Sequence, residues 1–214
     1  MKTIELNSIK PDIFSESDVS GSEIWLKNIC FKKENTYLIF SESGKGKSSL
    51  FDFIYCRRSD YSGEILFDGK NAKTLSHAEK QELRSNHISL VFQGFRLFEE
   101  LTAIENIEIK NRLTNHKTKR QIEEMLEQMG ISAKIDTPLS LLSFGQKQRV
   151  AIIRSLCQPF DFLLLDETFS HLDETNYTIA CTLIASEVKS QNAALLVASL
   201  GETYKFNYNH KIQL

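Results

Sequence analysis

The chain has 214 residues, 41% of them hydrophobic and 25% charged, with a formal net charge of −2. That length and balance suit one globular domain, or one domain with an inserted lobe, and allow a sizeable buried core. The near-neutral charge offers no basic field for nucleic acid, and no run approaches the roughly 20 apolar residues that a membrane span needs.

Four cysteines, Cys30, Cys56, Cys157 and Cys181, are widely spaced and form no C-x-x-C pair. They read as reduced, mostly buried thiols in a cytoplasmic protein, without a zinc or disulfide framework. The N-terminal MKTIELNSIK lacks the apolar core of a signal peptide. Any membrane role is therefore expected to run through a partner.

Along the chain, the polar SESDVSGSE (15–23) reads as a loop between two N-terminal strands, with EIWLKNICF (23–31) as the second. TYLIF (36–40) is strand-like, and KSSLFDFIYCRR (47–58) is helix-like. GEILFDG, HISLVF, DFLLLD and ALLVAS are further strand candidates. Several are continuously apolar, as in strands buried on both faces of a parallel sheet. KTKRQIEEMLEQMG spaces Ile122, Met125, Leu126 and Met129 at helical intervals, with Gly130 placed to cap it. GQKQRVAIIRSLC does the same with Val150, Ile153 and Leu156. Strands alternating with helices predict an α/β fold with a mainly parallel sheet. The charged, helix-rich stretch from about 95 to 140 reads as an inserted helical lobe. YKFNYNHKIQL (204–214) reads as a last hairpin or edge strand pair.

Three segments carry chemistry. SESGKGKSSL (41–50) approximates the phosphate-loop pattern G-x-x-x-x-G-K-[ST], with Ser41 standing where the first glycine belongs. Gly44 and Gly46 let backbone N–H groups approach phosphates, Lys47 can reach the β- and γ-phosphates, and the Ser48 hydroxyl can hold Mg²⁺. Ser41 is small enough to serve if its φ is negative. DFLLLDETFSHLD (161–173) is an apolar strand ending in two carboxylates. Asp166 is placed to support Mg²⁺, and Glu167 to deprotonate an attacking water. SLLSFGQKQRVAIIRSL puts a turn of small residues at a helix start, which reads equally as an anion site or as a plain helix capped by Ser143.

Together these segments resemble the ATP-binding cassette (ABC) ATPase family over nearly the whole chain. SESGKGKSS resembles Walker A, VFQGFRLFEELTAIENI the Q-loop region with Gln93, LSFGQ the LSGGQ signature, LLLDE Walker B and SHLD the D-loop. The Q-loop wording is most similar to the lipoprotein-release, macrolide-export and cell-division branch. The resemblance implies a phosphate-loop NTPase core, an N-terminal antiparallel β subdomain and the helical lobe, all within a single nucleotide-binding domain spanning 1–214. It implies ATP and Mg²⁺ held in a head-to-tail dimer of two cassettes, identical or different. Ser41, Glu42, Ser43, Gly44, Lys45, Gly46, Lys47, Ser48 and Ser49 would cradle the nucleotide. Ser48, Gln93 and Asp166 would serve the metal, and Glu167 would be the general base. Ser143, Gly145, Gln146 and Asp173 would meet nucleotide across the dimer. Adenine would stack on Phe14, with Trp25 as the other aromatic nearby. A membrane-spanning subunit would dock near Gln93, placing the chain at the inner face of the cell membrane.

Three departures stand out. Ser41 replaces a glycine of Walker A, and Phe144 replaces the first glycine of the signature. Ser199 stands where the family has a switch histidine that contacts the γ-phosphate. Serine is shorter and carries no charge, and losing one transition-state contact lowers a rate by about 10²–10³-fold. Two readings stay open: an ATPase subunit that drives a membrane partner, and a slow or non-catalytic module in which ATP acts as glue on an envelope partner.

Overall fold

The computed structural model describes residues 1–201 and 203–214. In chain order its elements are β1 (Thr3–Pro11), β2 (Asn28–Lys32), β3 (Thr36–Phe40), α1 (Lys47–Ile54), β4 (Tyr61–Phe67), β5 (Lys70–Asn71), α2 (His77–Glu82), β6 (Ile88–Val91), α3 (Ala103–Asn111), α4 (Lys119–Gln128), α5 (Phe144–Leu156), β7 (Phe162–Asp166), α6 (Glu174–Ser190), β8 (Ala194–Ser199) and β9 (His210–Gln213). The strands form an antiparallel sheet in the order β2-β1-β4-β5 and a parallel sheet in the order β6-β7-β8-β3-β9.

Burial explains the split. Every residue of β7 and β8 is buried, as the continuous apolar runs require. Alternate residues then feed two cores. Leu163, Leu165, Leu195 and Val197 pack on the side of α3, α4, α5 and α6. Phe162, Leu164, Leu196 and Ala198 pack on the side of α1 and the antiparallel sheet. In β1 the inward residues are Ile4, Leu6, Ile9 and Pro11. The change of parity comes from a bulge between Asn7 and Lys10, where Ser8 has φ 51°. Gly63 sits against that bulge, and a Cβ there would lie 2.4 Å from the Ser8 carbonyl oxygen, so the position admits no side chain.

α4 ends as its glycine foretells. The Gly130 N–H bonds the Glu127 carbonyl and the Ile131 N–H bonds the Leu126 carbonyl, with Gly130 at φ 62°. Two expectations change. EIWLKNICF is a strand only from Asn28 onward, because the Ser22 hydroxyl accepts the Ile24 and Trp25 N–H groups and Leu26 turns left-handed at φ 59°. The C-terminal segment forms no hairpin. β9 alone is a strand and pairs parallel with β3, while Tyr204 and Phe206 pack on Phe169. Cys157 and Cys181 are buried, but Cys30 is exposed and Cys56 half-buried. Among the described residues no helix is long and apolar enough to cross a membrane.

The start of β7 is anchored to three distant segments. Asp161 accepts hydrogen bonds from the Met1 amino group at 2.7 Å, from His87 Nδ1 at 2.6 Å and from Lys33. Burial alone would raise its carboxyl pKa, but these bonds outweigh that and hold it below the ordinary value. Asp161→Asn is expected to lower stability by about 1–3 kcal/mol at pH 7. Because the folded-state pKa is depressed, the loss should shrink as pH falls below the unfolded-state value. Urea unfolding of both proteins at pH 7 and pH 3 checks this; an equal difference at the two pH values would contradict it.

Candidate functional site

The turn between β3 and α1 is built by two left-handed glycines, Gly44 at φ 82° and Gly46 at φ 94°. Ser41 lies outside the left-handed region, so the missing first glycine imposes no strain. Its N–H bonds the Ser199 carbonyl at 3.3 Å, tying the loop to the end of β8. Among the described residues, no backbone N–H from Glu42 to Gly46 donates to a protein acceptor. Unpaired N–H groups gathered in one turn ahead of a helix form an anion-binding concavity.

Lys47 begins α1 and is 5% exposed. Its Nζ donates to the carbonyls of Ser41 (2.9 Å) and Glu42 (3.0 Å) and lies 3.4 Å from Glu167 Oε1. Glu167 Oε2 accepts a bond from the Gln93 amide at 2.9 Å. Residues from three separate elements thus meet around one carboxylate. Glu167 itself is left-handed at φ 47°, a conformation uncommon outside glycine that tends to persist at functional sites. The preceding Asp166 is 6% exposed, and its Oδ1 is buried without a hydrogen-bond partner. Burial pushes the Asp166 carboxyl up to about 6, although the Ser48 hydroxyl bonds it and lowers it; the nearby Glu167 and Asp52 charges also raise it. An orphaned buried oxygen on a carboxyl that bonds a serine hydroxyl suits a hard, oxygen-seeking dication such as Mg²⁺, which commonly takes one or two carboxylates plus phosphate oxygens. Ser199 is fully buried at the end of β8.

The loop's remaining residues divide by exposure. Glu42, Ser43 and Lys45 are exposed, whereas Ser49 is half-buried and accepts a bond from Arg58 Nη1 at 3.2 Å. Both aromatic candidates touch the loop. A Cβ on Gly46 would meet Trp25 at 3.0 Å and Phe14 at 3.1 Å. Trp25 is 2% exposed, whereas Phe14 is half-buried.

The other predicted residues lie apart from this cluster. Ser143 caps α5 by accepting the Gln146 N–H, and Gln146 Oε1 accepts the Ser143 N–H in return. Gly145 passes the His171 carbonyl so closely that a Cβ would lie 2.9 Å from the oxygen. Phe144 is the first residue of α5, outside the left-handed region, and is 68% exposed, with its ring centroid 5.5 Å from that of His171 and 6.5 Å from that of Phe95. Asp173 caps α6, where the Asn176 backbone N–H and side-chain amide occupy its carboxylate. Among the described residues no hydrogen bond or ion pair joins Ser143, Gly145, Gln146 or Asp173 to the loop of Lys47. The sequence reading missed Gln148, whose amide bonds the Thr168 carbonyl and accepts the His171 N–H at 3.2 Å. Its place in α5, two residues past Gln146, was visible, but nothing marked it as an inward-facing polar residue.

Comparison with known proteins adds three findings. The family model described as ABC transporter matches residues 27–170. The methionine import ATP-binding protein MetN of Helicobacter pylori (strain HPAG1) is 35% identical over 172 residues, covering 79% of this chain and 52% of MetN. The lipoprotein-releasing system ATP-binding protein LolD of Buchnera aphidicola subsp. Schizaphis graminum (strain Sg) is 32% identical over 171 residues, covering 78% of this chain and 75% of LolD. Among solved structures, the dimeric form of MJ0796, a bacterial ABC transporter cassette, aligns with a TM-score of 0.78 and 25% identity over 92% of this chain and 88% of that one. The chain thus spans about half the length of the MetN relatives and more of LolD. The lipoprotein-release branch is represented among its relatives, alongside an importer. With the glycine turn, the carboxylate strand and the capped SFGQ turn standing in the family's order, the chain belongs to the ABC transporter family.

Proposed function

We propose that the chain is a single nucleotide-binding domain, residues 1–214, that binds Mg-ATP and hydrolyses it as the ATP-binding subunit of an ABC transporter. The observation that carries this reading is the meeting of Lys47, Gln93 and Glu167 beside a turn of unpaired N–H groups. The turn from Ser41 to Ser49 cradles the phosphates, with Lys47 neutralising them. Ser48, Gln93 and Asp166 would hold Mg²⁺, which when bound screens the phosphate charge and orients the terminal phosphate. The Glu167 carboxylate accepts a proton from the attacking water as the bond between the terminal phosphorus and the bridging oxygen breaks, giving ADP and phosphate.

The second half of the site comes from another cassette, identical or different. Ser143, Gly145, Gln146 and Asp173 lie apart from the chain's own loop, which accords with their meeting nucleotide bound to a partner. The dimeric state of the MJ0796 cassette supports the same arrangement. A membrane-spanning subunit docks near Gln93 and holds the chain at the inner face of the membrane. The relatives named for methionine import and for lipoprotein release differ in direction, so the reading extends to a transport ATPase and stops before the cargo.

One observation favours slow turnover or an ATP-dependent adhesive role. Ser199, at the switch-histidine position, is wholly buried and has no ionisable side chain to offer the terminal phosphate. Turnover separates the two readings. Glu167→Gln should lower kcat by about 10²–10⁴-fold while ATP binding is retained, and Lys47→Ala should raise the Mg-ATP Kd by at least about tenfold. Phosphate release and calorimetric titration measure both; a parent protein that binds ATP without turnover, even with its membrane partner restored, would favour the adhesive role.

Asp166→Asn should have opposite effects on stability and on metal use. Removing a buried, incompletely bonded charge should raise the stability of the ligand-free protein by about 1–3 kcal/mol at pH 7.5. The folded-state pKa lies above the unfolded one, so this gain should fade as pH drops from about 6 toward 4. The same variant should lose the Mg²⁺-dependent part of ATP affinity. Thermal unfolding at pH 7.5 and pH 4.5, with titrations with and without Mg²⁺, tests both signs.

A further inference from the structure

Trp25, the chain's single tryptophan, does more than fill the core. Its indole Nε1–H donates to the carbonyl of Lys45 at 3.1 Å, in the middle of the phosphate loop. Its ring edge lies 3.0 Å from where a Cβ on Gly46 would stand. It meets the Phe14 ring edge-on, with centroids 6.5 Å apart and planes at 85°. The tryptophan is itself fixed. It is 2% exposed, and its backbone N–H bonds the Ser22 hydroxyl at 2.9 Å. The next residue, Leu26, bonds the Ile9 carbonyl at 2.9 Å. The neighbouring Phe14 is tied down too, since Lys10 Nζ donates to its carbonyl.

The consequence follows from peptide geometry. In a trans peptide the C=O and the following N–H point in opposite directions. With the Lys45 carbonyl drawn onto the indole, the Gly46 N–H is turned away from Trp25, toward the open side of the loop. That N–H donates to no protein acceptor among the described residues. Gly46 holds the left-handed φ of 94° that this orientation needs, and the two rings occupy the space behind it.

We propose that Trp25 is a positioning residue for the phosphate loop: its indole N–H fixes the Lys45–Gly46 peptide so that the Gly46 N–H faces the nucleotide phosphates, and its ring buttresses the Phe14 wall of the same site. This rests on the nucleotide-binding reading above and adds a residue that the loop motif does not contain. Trp25 touches no reacting atom. It acts through Lys45 and Gly46, so its effect belongs to affinity rather than to the bond-breaking step.

The test uses the full chain with Mg-ATP as the probe. Trp25→Phe keeps an aromatic ring but removes the N–H donor. It should raise Kd and KM for Mg-ATP about three- to tenfold, the range expected for one lost hydrogen bond, while kcat falls less than twofold. Lys47→Ala serves as the binding-defective control. A parent protein that fails to bind Mg-ATP would overturn the nucleotide reading itself. A parent that binds, with Trp25→Phe matching it in Kd, would overturn the positioning role and leave the nucleotide reading standing. A fall in kcat equal to the loss in kcat/KM would also overturn it. If Trp25→Phe does not fold, the parent answers the question. Its one indole N–H gives a single signal in a ¹⁵N-resolved proton spectrum. That signal should shift on titration with Mg-ATP in the parent and not in Lys47→Ala. An indole signal unmoved at saturating Mg-ATP would overturn the proposal.

Discussion

An ammonium group that is almost wholly out of water has to be met by lone pairs, and Lys47 imposes that condition on the rest of the site. Two of its partners are carbonyls of its own loop, which curls back only because Gly44 and Gly46 accept left-handed φ. The third is the Glu167 carboxylate, delivered by β7, and between β7 and β3 lies β8. The sheet register is therefore part of the binding site. Phe40 pairs with Ser199 and Asp166 with Ala198, so β3, β8 and β7 end level and their following residues converge. A slip of one residue in either pairing would exchange the residues that feed the two cores and carry Glu167 away from Lys47. Two continuous apolar strands and the cores on both of their faces hold that register.

The strands that hold the site were largely legible because burial on both faces leaves one kind of sequence. FLLLD and ALLVAS have little alternative to a covered parallel strand. The glycine turn and the carboxylates at the strand end were equally legible, since each chemical demand restricts the residue type. What stayed hidden was set by contacts between distant segments. EIWLKNICF has the composition of a strand throughout, yet the Ser22 hydroxyl captures two of its N–H groups and bends its first half into a turn. β9 looked like half of a hairpin because the free edge of β3, its actual partner, lies far away in sequence. Trp25 read as one more aromatic near a base; its bond to Lys45 depends on how a polar loop folds over the phosphate loop. Ser143 allowed two readings, and the capping box is real, but capping alone does not separate a plain helix start from one that also meets an anion.

The site also departs from what stability alone would select. Asp166 carries a buried oxygen without a partner, and Glu167 holds a left-handed conformation that costs roughly 1–3 kcal/mol for such a residue. Both sit at the end of a fully buried strand of the parallel sheet, where packing can support them. Local rules are broken at functional positions when the surrounding structure over-determines the backbone. The N–H of Glu167 bonds the Ala198 carbonyl, so β8 fixes the strained residue directly. A serine rather than a histidine one residue further along β8 leaves that support unchanged, because the bond uses the backbone. The strand end that carries the carboxylates is therefore held by a bond that does not depend on the side chain at position 199.

Polar bonds and a close backbone contact also join the helix of the SFGQ turn to the segment that follows the carboxylates. Gln148 of α5 bonds both the Thr168 carbonyl and the His171 N–H, so the helix grips the segment that follows Glu167. Gly145 lets the start of α5 lie directly against the His171 carbonyl, which a larger residue would forbid. Arg149 reaches from the same helix to the Met129 carbonyl and to Asn176, and Asn176 in turn bonds the α6 cap Asp173. The exposed end of α5 is therefore tied by short polar bonds to both sides of residues 168–173. Close packing and these bonds leave the segment little freedom to shift independently of the helix. Phe144 stands exposed at the outer end of that helix, and the inner end of the network is the Thr168 carbonyl, one residue past Glu167.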